Sequence, residues 1–202
     1  MRPAISVRQA TAADRGATAA VLARAFIDDP AMAFLFRNAA HHAVALLRFF
    51  TMIGRADAAT DHWSLALGPA GEPVAAAIWR PPGLWQTPLP VMLRLLPQLL
   101  ATFGTALPRA LALQRQLEAH HPHAPHWYLQ FAGCVPAQQG RGYGGAAIRA
   151  QLARCDAAAL PAALETATLA NLGLYQAMGF VVTDHYRIKR GPEFWTMWRE
   201  PQ

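Results

Sequence analysis

Residues 138–145 read Gln-Gln-Gly-Arg-Gly-Tyr-Gly-Gly, so Gly140, Gly142, Gly144 and Gly145 place four glycines within six residues. Glycine loses more conformational freedom on folding than any other residue, and such a density marks backbone that must adopt φ > 0 or admit a very close neighbour. The flanks narrow the choice. Upstream, residues 126–136 are dense in aromatic and apolar side chains and close on Pro136, the composition of a strand. Downstream, a helix running from Gly144 presents Ile148, Leu152 and Cys155 on one face. A strand, a glycine turn and a helix N-terminus gather unpaired amides and the positive end of a helix dipole at one point. That point suits an anion, and a pyrophosphate fits it.

The rest of the chain provides elements for this turn to join. "AISVRQ" alternates as a short strand and leads into a helix capped by Thr11 or Asp14, with Ala19, Leu22, Ala23 and Phe26 on its apolar face. Asp28-Asp29-Pro30 ends that helix. A second helix, near residues 39–55, carries Ala43, Leu46, Leu47, Phe50 and Met52. Residues 62–82 read as two strands about the turn Gly68-Pro69-Ala70-Gly71. A helical insert rich in leucine and proline follows at 89–113. Beyond the glycine turn come a strand at 161–167, a short helix from about Asn171 to Met178 closed by Gly179, and two final strands in "FVVTDHYRI" and "FWTMWR".

Composition removes several classes of function. The 202 residues suit a single domain over 1–202 with a substantial core, and 53% hydrophobic against 15% charged residues is not the balance of a disordered chain. The net charge is +6, but every basic residue except Lys189 is an arginine and they are scattered. A nucleic-acid binder gathers its cations in a stripe with interleaved aromatics, so no nucleic-acid partner is expected. Cys134 and Cys155 are too few for a disulfide framework, which points to a reducing, cytoplasmic setting. The N-terminus has no apolar signal segment. Arg94, Pro97, Gln98, Gly104 and Pro108 interrupt the most apolar stretch, leaving no run of about 20 residues for a membrane span.

Gly140, Gly142 and Gly145 also spell the G-x-G-x-x-G of dinucleotide-binding folds, with Glu165 twenty residues further on. Such a fingerprint opens the first βαβ unit of its sheet, whereas only residues 146–202 follow here. It also leaves Gln139, Asn171 and Tyr175 without a role. A second pattern uses them. The blocks "PAQQGRGYGG" and "ANLGLYQAMGF" resemble the GNAT superfamily of acetyl-CoA-dependent N-acetyltransferases, whose signature is a Gln or Arg, two residues, then Gly-x-Gly. Here that is Gln139, Gly142 and Gly144, with Asn171, Tyr175 and Gly179-Phe180 similar to the superfamily's second motif. Across 126–199, "HWYL", "LETA", "NLGLY", "GF" and "GPEFWTM" look like the puromycin N-acetyltransferase-like branch, and "VRQATAAD" and "AFIDDPA" fit it more loosely. The similarity is weak between 35 and 120, where such enzymes build their acceptor pocket.

The resemblance implies an α+β, three-layer fold: a central mixed, mostly antiparallel twisted sheet flanked by helices and splayed between the fourth and fifth strands. It implies acetyl-CoA as cosubstrate and no metal. The main chain of Gly133, Cys134 and Val135 would hydrogen-bond the pantetheine arm as an added strand would. Amides of Gln139, Gly140, Arg141, Gly142, Tyr143, Gly144 and Gly145 would hold the pyrophosphate, with Arg141 adding charge, and Asn171 would complete the cofactor site. Cys134 stands where the family's strand ends in valine. Serving through its backbone, it reads as a small hydrophobe and not as a nucleophile. The implied partner is the amine of a small molecule, acetylated directly in a ternary complex; a homodimer stays open.

Such a transfer needs a neutral amine, and deprotonating an alkyl ammonium at pH 7 costs on the order of 4 kcal/mol. A base is therefore expected. Glu165, in an otherwise uncharged strand, is the candidate, with Tyr128, Gln130 and His126 on the other strand as alternatives, while Asp28 or Asp29 could hold the acceptor's cation. Tyr175, four residues after Asn171 on the same helix face, is placed to hydrogen-bond or protonate the departing thiolate. His120, His121, His123 and His126 lie in "AHHPHAPH", which has no zinc-ligand spacing and reads as an exposed loop. Two other classes remain open: a CoA-binding sensor without chemistry, and an NAD(P)-dependent oxidoreductase.

Overall fold

The computed structural model describes residues 4–56 and 62–202. Among them are the strands β1 (Val7–Gln9), β2 (Trp63–Leu67), β3 (Pro73–Arg80), β4 (Trp127–Cys134), β5 (Ala162–Thr166), β6 (Val181–Arg187) and β7 (Glu193–Arg199). They form one sheet in the order β1-β2-β3-β4-β5-β7-β6, antiparallel at every seam except that between β4 and β5. The α-helices are α1 (Arg15–Ala25), α2 (Pro30–Leu35), α3 (His42–Ala56), α4 (Leu89–Arg94), α5 (Leu96–Phe103), α6 (Leu107–His120), α7 (Tyr143–Ala157) and α8 (Leu172–Gln176). This is the expected mixed, mostly antiparallel architecture.

Side chains alternate across a strand, so a strand buried on both faces reads as a continuous apolar run. In β3, Ala76 and Ile78 enter one core while Ala75, Ala77 and Trp79 enter the other, which is why "VAAAIW" shows no polar alternation. The first core lies under α1, α3 and the α4–α6 insert. Six phenylalanines hold it together: Phe26, Phe36, Phe49, Phe50, Phe103 and Phe131 meet at centroid distances of 5.1 to 6.2 Å. The second core, under α7 and α8, includes Ile148, Leu152, Cys155, Leu164, Tyr175 and Phe180.

Two local readings change. Asp28-Asp29-Pro30 was expected to stop a helix; it also starts one. Asp29 caps α2, its Oδ1 accepting from the amides of Ala31 and Met32 at 2.9 and 3.0 Å, and Pro30 takes the first helical position, where its missing N–H costs nothing. Gly133 has a packing role: a Cβ built there would lie 2.5 Å from the Cβ of Ala25. Helix α1 therefore sits on β4 at a distance only glycine allows.

The sheet opens at the β4–β5 seam. Pairing is confined to Trp127↔Ala162, Tyr128↔Ala163 and Leu129↔Leu164. One residue further on, the β3–β4 register shifts: Phe131 pairs with Ile78 and Leu129 with Trp79, which leaves Gln130 as a bulge. A bulge bends its strand and increases local twist. From that point β4 continues with β3 while β5 continues with β7, and the splay expected between the fourth and fifth strands results.

Candidate active site

The glycine turn divides into two kinds of position. Gly140 and Gly142 have φ of +72° and +95°, in the left-handed region that favours glycine, and Gly142 is the N-cap of α7. Gly144 and Gly145 are ordinary helical residues in the first turn. The amides of Tyr143, Gly144 and Gly145 stand ahead of the first intrahelical bond, from Ala146 N to Gly142 O at 2.9 Å. Gln139, Gly140, Arg141 and Gly142 are exposed beside them, whereas the Tyr143 side chain packs against both cores, leaving its amide as the group it can offer. This is a cradle of donors with positive dipole and a flanking cation.

The edge of β4 that faces the gap can be assigned. Val135 donates its N–H to Val74 O at 2.9 Å, so alternation turns the main-chain groups of Gly133 and Val135 toward β3 and those of Ala132 and Cys134 toward the gap. The expectation for Gly133, Cys134 and Val135 is corrected accordingly: of the three, Cys134 is the one whose main chain is offered to an added strand. Its carbonyl accepts from the Gln139 side-chain Nε2 at 3.1 Å, which ties the start of the glycine loop to the strand end. Burial pushes the Cys134 thiol above its ordinary range, against a smaller opposing effect of the Gly144 amide.

Beside the gap lies a cavity of about 520 Å³. Its walls come from the helical elements, with Met32, Phe49, Leu95, Leu99, Phe103 and Leu113 among them, and its polar end comes from β4 and β5 with Tyr128, Gln130 and Glu165. Asn171 and Tyr175 line it from the α8 side. Thus Glu165 and Tyr175, separate in the chain, open on one space. Tyr175 is buried, and that burial, with the charge of Asp29, pushes its hydroxyl up to about 12. It stays a protonated donor throughout the physiological range.

The histidine run is not an exposed loop. His121 donates from Nδ1 to Oε1 of Glu165 at 3.2 Å, and the two side chains are 3% and 2% exposed. Trp85 stacks on His121 at 3.8 Å, and His126 lies 4.9 Å from it, ring to ring. His126 is buried, bonds the Ala124 carbonyl through Nδ1 at 2.7 Å, and is held below its usual range by burial. His120 bonds Asp184 at 2.6 Å and stacks on Tyr186. Only His123 of the four is exposed. Pro122 and Pro125 stop α6 and steer the chain into β4, and the detour carries His121 and His126 inward. The polarity of the run concealed this; the prolines between its histidines were the available signal.

Three polar atoms of this cluster, His121 Nε2, Glu165 Oε2 and His126 Nε2, are buried without a hydrogen-bond partner. Tyr128 sits among them, its hydroxyl pushed well above its ordinary range by burial and by the charge of Glu165. Gln130 is held in place by Arg80, whose Nε donates to Oε1 at 2.9 Å. Among the described residues no set of three His, Cys, Asp or Glu side chains is arranged to hold a metal. Asp29 is unsuited to bind an acceptor cation, since Oδ1 serves α2 and Oδ2 accepts from the Thr168 hydroxyl at 3.3 Å. Asp28 is exposed and outside the cavity lining.

No protein-family profile matches the chain. Solved structures do. The histone acetyltransferase HPA2 and related acetyltransferase of Corynebacterium glutamicum superposes with a TM-score of 0.74 at 26% identity, over 98% of this chain and 97% of that one. The chain is an acetyltransferase with the GNAT fold. The fold is shared more distantly with the polyamine N-acetyltransferase of Drosophila melanogaster, at 16% identity and a TM-score of 0.65 over 98% and 100% of the two chains. It is shared too with a GNAT superfamily phosphinothricin acetyltransferase of Sinorhizobium meliloti in complex with AcCoA, at 16% identity and 0.54 over 98% and 88%. No helix among the described residues of this acetyltransferase is long and apolar enough to cross a membrane.

Proposed function

We propose that this acetyltransferase moves an acetyl group from acetyl-CoA to the amine of a small molecule by direct attack in a ternary complex. The observation that carries it is the opening of Glu165 and Tyr175 on one cavity beside the splayed seam. The residues present fit the cosubstrate. The amides at 143–145 and the exposed loop at 139–142 suit a pyrophosphate, and the unpaired edge of β4 at Ala132 and Cys134 suits an extended amide-bearing arm. When bound, acetyl-CoA supplies an activated acyl carbon.

The chain's own residues then handle protons. Glu165 takes the proton of the attacking amine at Oε2, the oxygen without a partner, while His121 holds Oε1 and so fixes the carboxylate plane. Tyr175 remains protonated and donates a hydrogen bond to the sulfur as it departs. Because a thiol of pKa near 8.5 is the stronger acid, full transfer from the phenol is uphill, and hydrogen bonding is its part. The raised Cys134 thiol supports direct attack over an acyl-cysteine route, which needs a thiolate.

Calorimetric titration of acetyl-CoA, and separately of NADH, into the wild-type protein and Gly142→Ala tests the reading, together with thiol release in the presence of primary amines. Acetyl-CoA binding that the substitution weakens, with amine-dependent thiol release, is expected. Binding of NADH alone would return the glycines to a dinucleotide; acetyl-CoA binding with no turnover of any amine would leave a sensor.

A further inference from the structure

We propose that the acceptor is a monoamine on a single bulky apolar body, such as an arylalkyl or long alkyl amine, and not a polyamine or guanidino-amine; this rests on the acetyltransferase reading above. The buried polar end of the cavity lies where the sheet parts. Tyr128, Gln130 and Glu165 enter it from β4 and β5, where the sheet parts, and His121 backs Glu165 there. The walls leading away from that end, toward α3, α5 and α6, carry Met32, Phe49, Leu95, Leu99, Phe103 and Leu113.

An amine delivered to Glu165 therefore trails its body among thioether, aliphatic and aromatic groups. A second cation along that body would need a carboxylate. Among the described residues, the carboxylates in the lining are Asp29, Glu118 and Glu165. Asp29 has both oxygens engaged by α2 and Thr168, and burial raises its pKa, the opposite of a carboxylate prepared for a cation. Glu118 accepts from Gln114 Nε2 at 2.9 Å at the partly exposed end of α6. Of the three, Glu165 is the anion at the buried polar end, and it meets the first amine. A buried second charge without a partner is strongly disfavoured. The unpartnered Oε2 of Glu165 and Nε2 of His121 are the independent sign that one polar head group belongs at this end.

The test is calorimetric binding to the protein alone, followed by turnover with acetyl-CoA, using pentylamine, hexylamine, heptylamine, 4-phenylbutylamine, agmatine and spermidine. Kd is expected to fall about fourfold for each methylene from pentylamine to heptylamine, the ~0.8 kcal/mol of one buried CH₂. Affinity for 4-phenylbutylamine is expected to exceed that for agmatine by about 100-fold. Leu99→Trp, which fills the cavity, is expected to reverse the chain-length trend, so that pentylamine binds more tightly than heptylamine. Equal or tighter binding of agmatine or spermidine, or no dependence on chain length in the wild type, overturns the inference. Tight apolar-amine binding without acetylation supports the pocket assignment and overturns the transfer reading instead.

Discussion

Nδ1 of His121 lies 3.2 Å from Oε1 of Glu165, with the histidine arriving from the end of α6 and the glutamate from the point at which β5 leaves β4. A buried carboxylate backed on one oxygen and unpartnered on the other is oriented for one proton. Glu165→Gln is predicted to lower kcat/KM by about 100-fold, within the usual contribution of a positioned base, while acetyl-CoA affinity stays within a factor of two or so. His121→Ala should cost about tenfold in kcat with KM for the amine little changed. His121→Asn, whose amide can replace the Nδ1–H, should recover part of the loss. No recovery in His121→Asn would leave the histidine a packing residue.

Tyr175→Phe removes a donor without removing the ring that packs on Phe180 at 6.1 Å. Loss of one hydrogen bond to a developing charge predicts a fall in kcat of about 10- to 100-fold with KM for the amine little changed. The hydroxyl of Tyr175 is pushed up to about 12, whereas in the unfolded chain it titrates near 10. The folded state thus holds the proton longer, and its contribution to stability is complete below about pH 10 and lost as pH rises toward 12. Alkaline unfolding followed by circular dichroism should show a shallower loss between those pH values in Tyr175→Phe than in the wild type.

Gly133 and Gly142 should respond differently to alanine. A Cβ at position 133 meets Ala25 at 2.5 Å, so Gly133→Ala must push α1 off β4 and is predicted to cost about 1–3 kcal/mol. Gly142→Ala has room, with the nearest atom 3.4 Å away, but must hold φ of +95°, a strain of about 1–2 kcal/mol at the N-cap that presents the loop amides. Thermal unfolding should report mainly the first substitution, and acetyl-CoA titration mainly the second. Equal effects of both on melting and on binding would contradict this division.

Arg199 ties β7 to α7 and to the turn after α8: its guanidinium meets both oxygens of Asp156 at 2.6 and 2.9 Å, and its Nε donates to Met178 O at 2.8 Å. The arginine holds the Asp156 carboxyl below its usual range, helped by the amide of Gln202. An unfolded aspartate titrates near 3.9, so between that value and the lower folded one the unfolded chain binds more protons. The stability this pair confers is present above about pH 4 and lost as pH falls further. Asp156→Asn is expected to lower stability at pH 7 by about 2 kcal/mol and to flatten its dependence on pH below 4, as chemical denaturation at several pH values would show.

Much of the fold was readable because its elements are local. The strand, turn and helix at 126–157 carry their own signals in β-rich composition, glycine and helical period, and the structure places each close to its expected bounds. The second role of Asp29-Pro30 was not legible, because a residue pair that follows one helix can also cap the next, and only the amide donors at Ala31 and Met32 reveal it. Glu165 was legible as the one charge in an apolar strand. His121 was not, since its partner lies on an element 44 residues away and the insert between β3 and β4 has no pattern that sets its register over the sheet. The direction in which β4 offers its main chain was likewise invisible, because it depends on pairing with β3.

Residues 81–126, the connection that leaves the sheet at Arg80 and returns at Trp127, supply more of the cavity's lining than any other connection. For a flexible connection, doubling its length costs only about 0.6 kcal/mol in closure entropy. The seam from β4 to β7, with the glycine turn hung on it, asks of that span that His121 reach Glu165 near its end. A change of sequence or length ahead of His121 would reshape the apolar walls while the glycine turn stands unaltered, so the acceptor pocket and the donor loop are separable parts of one chain.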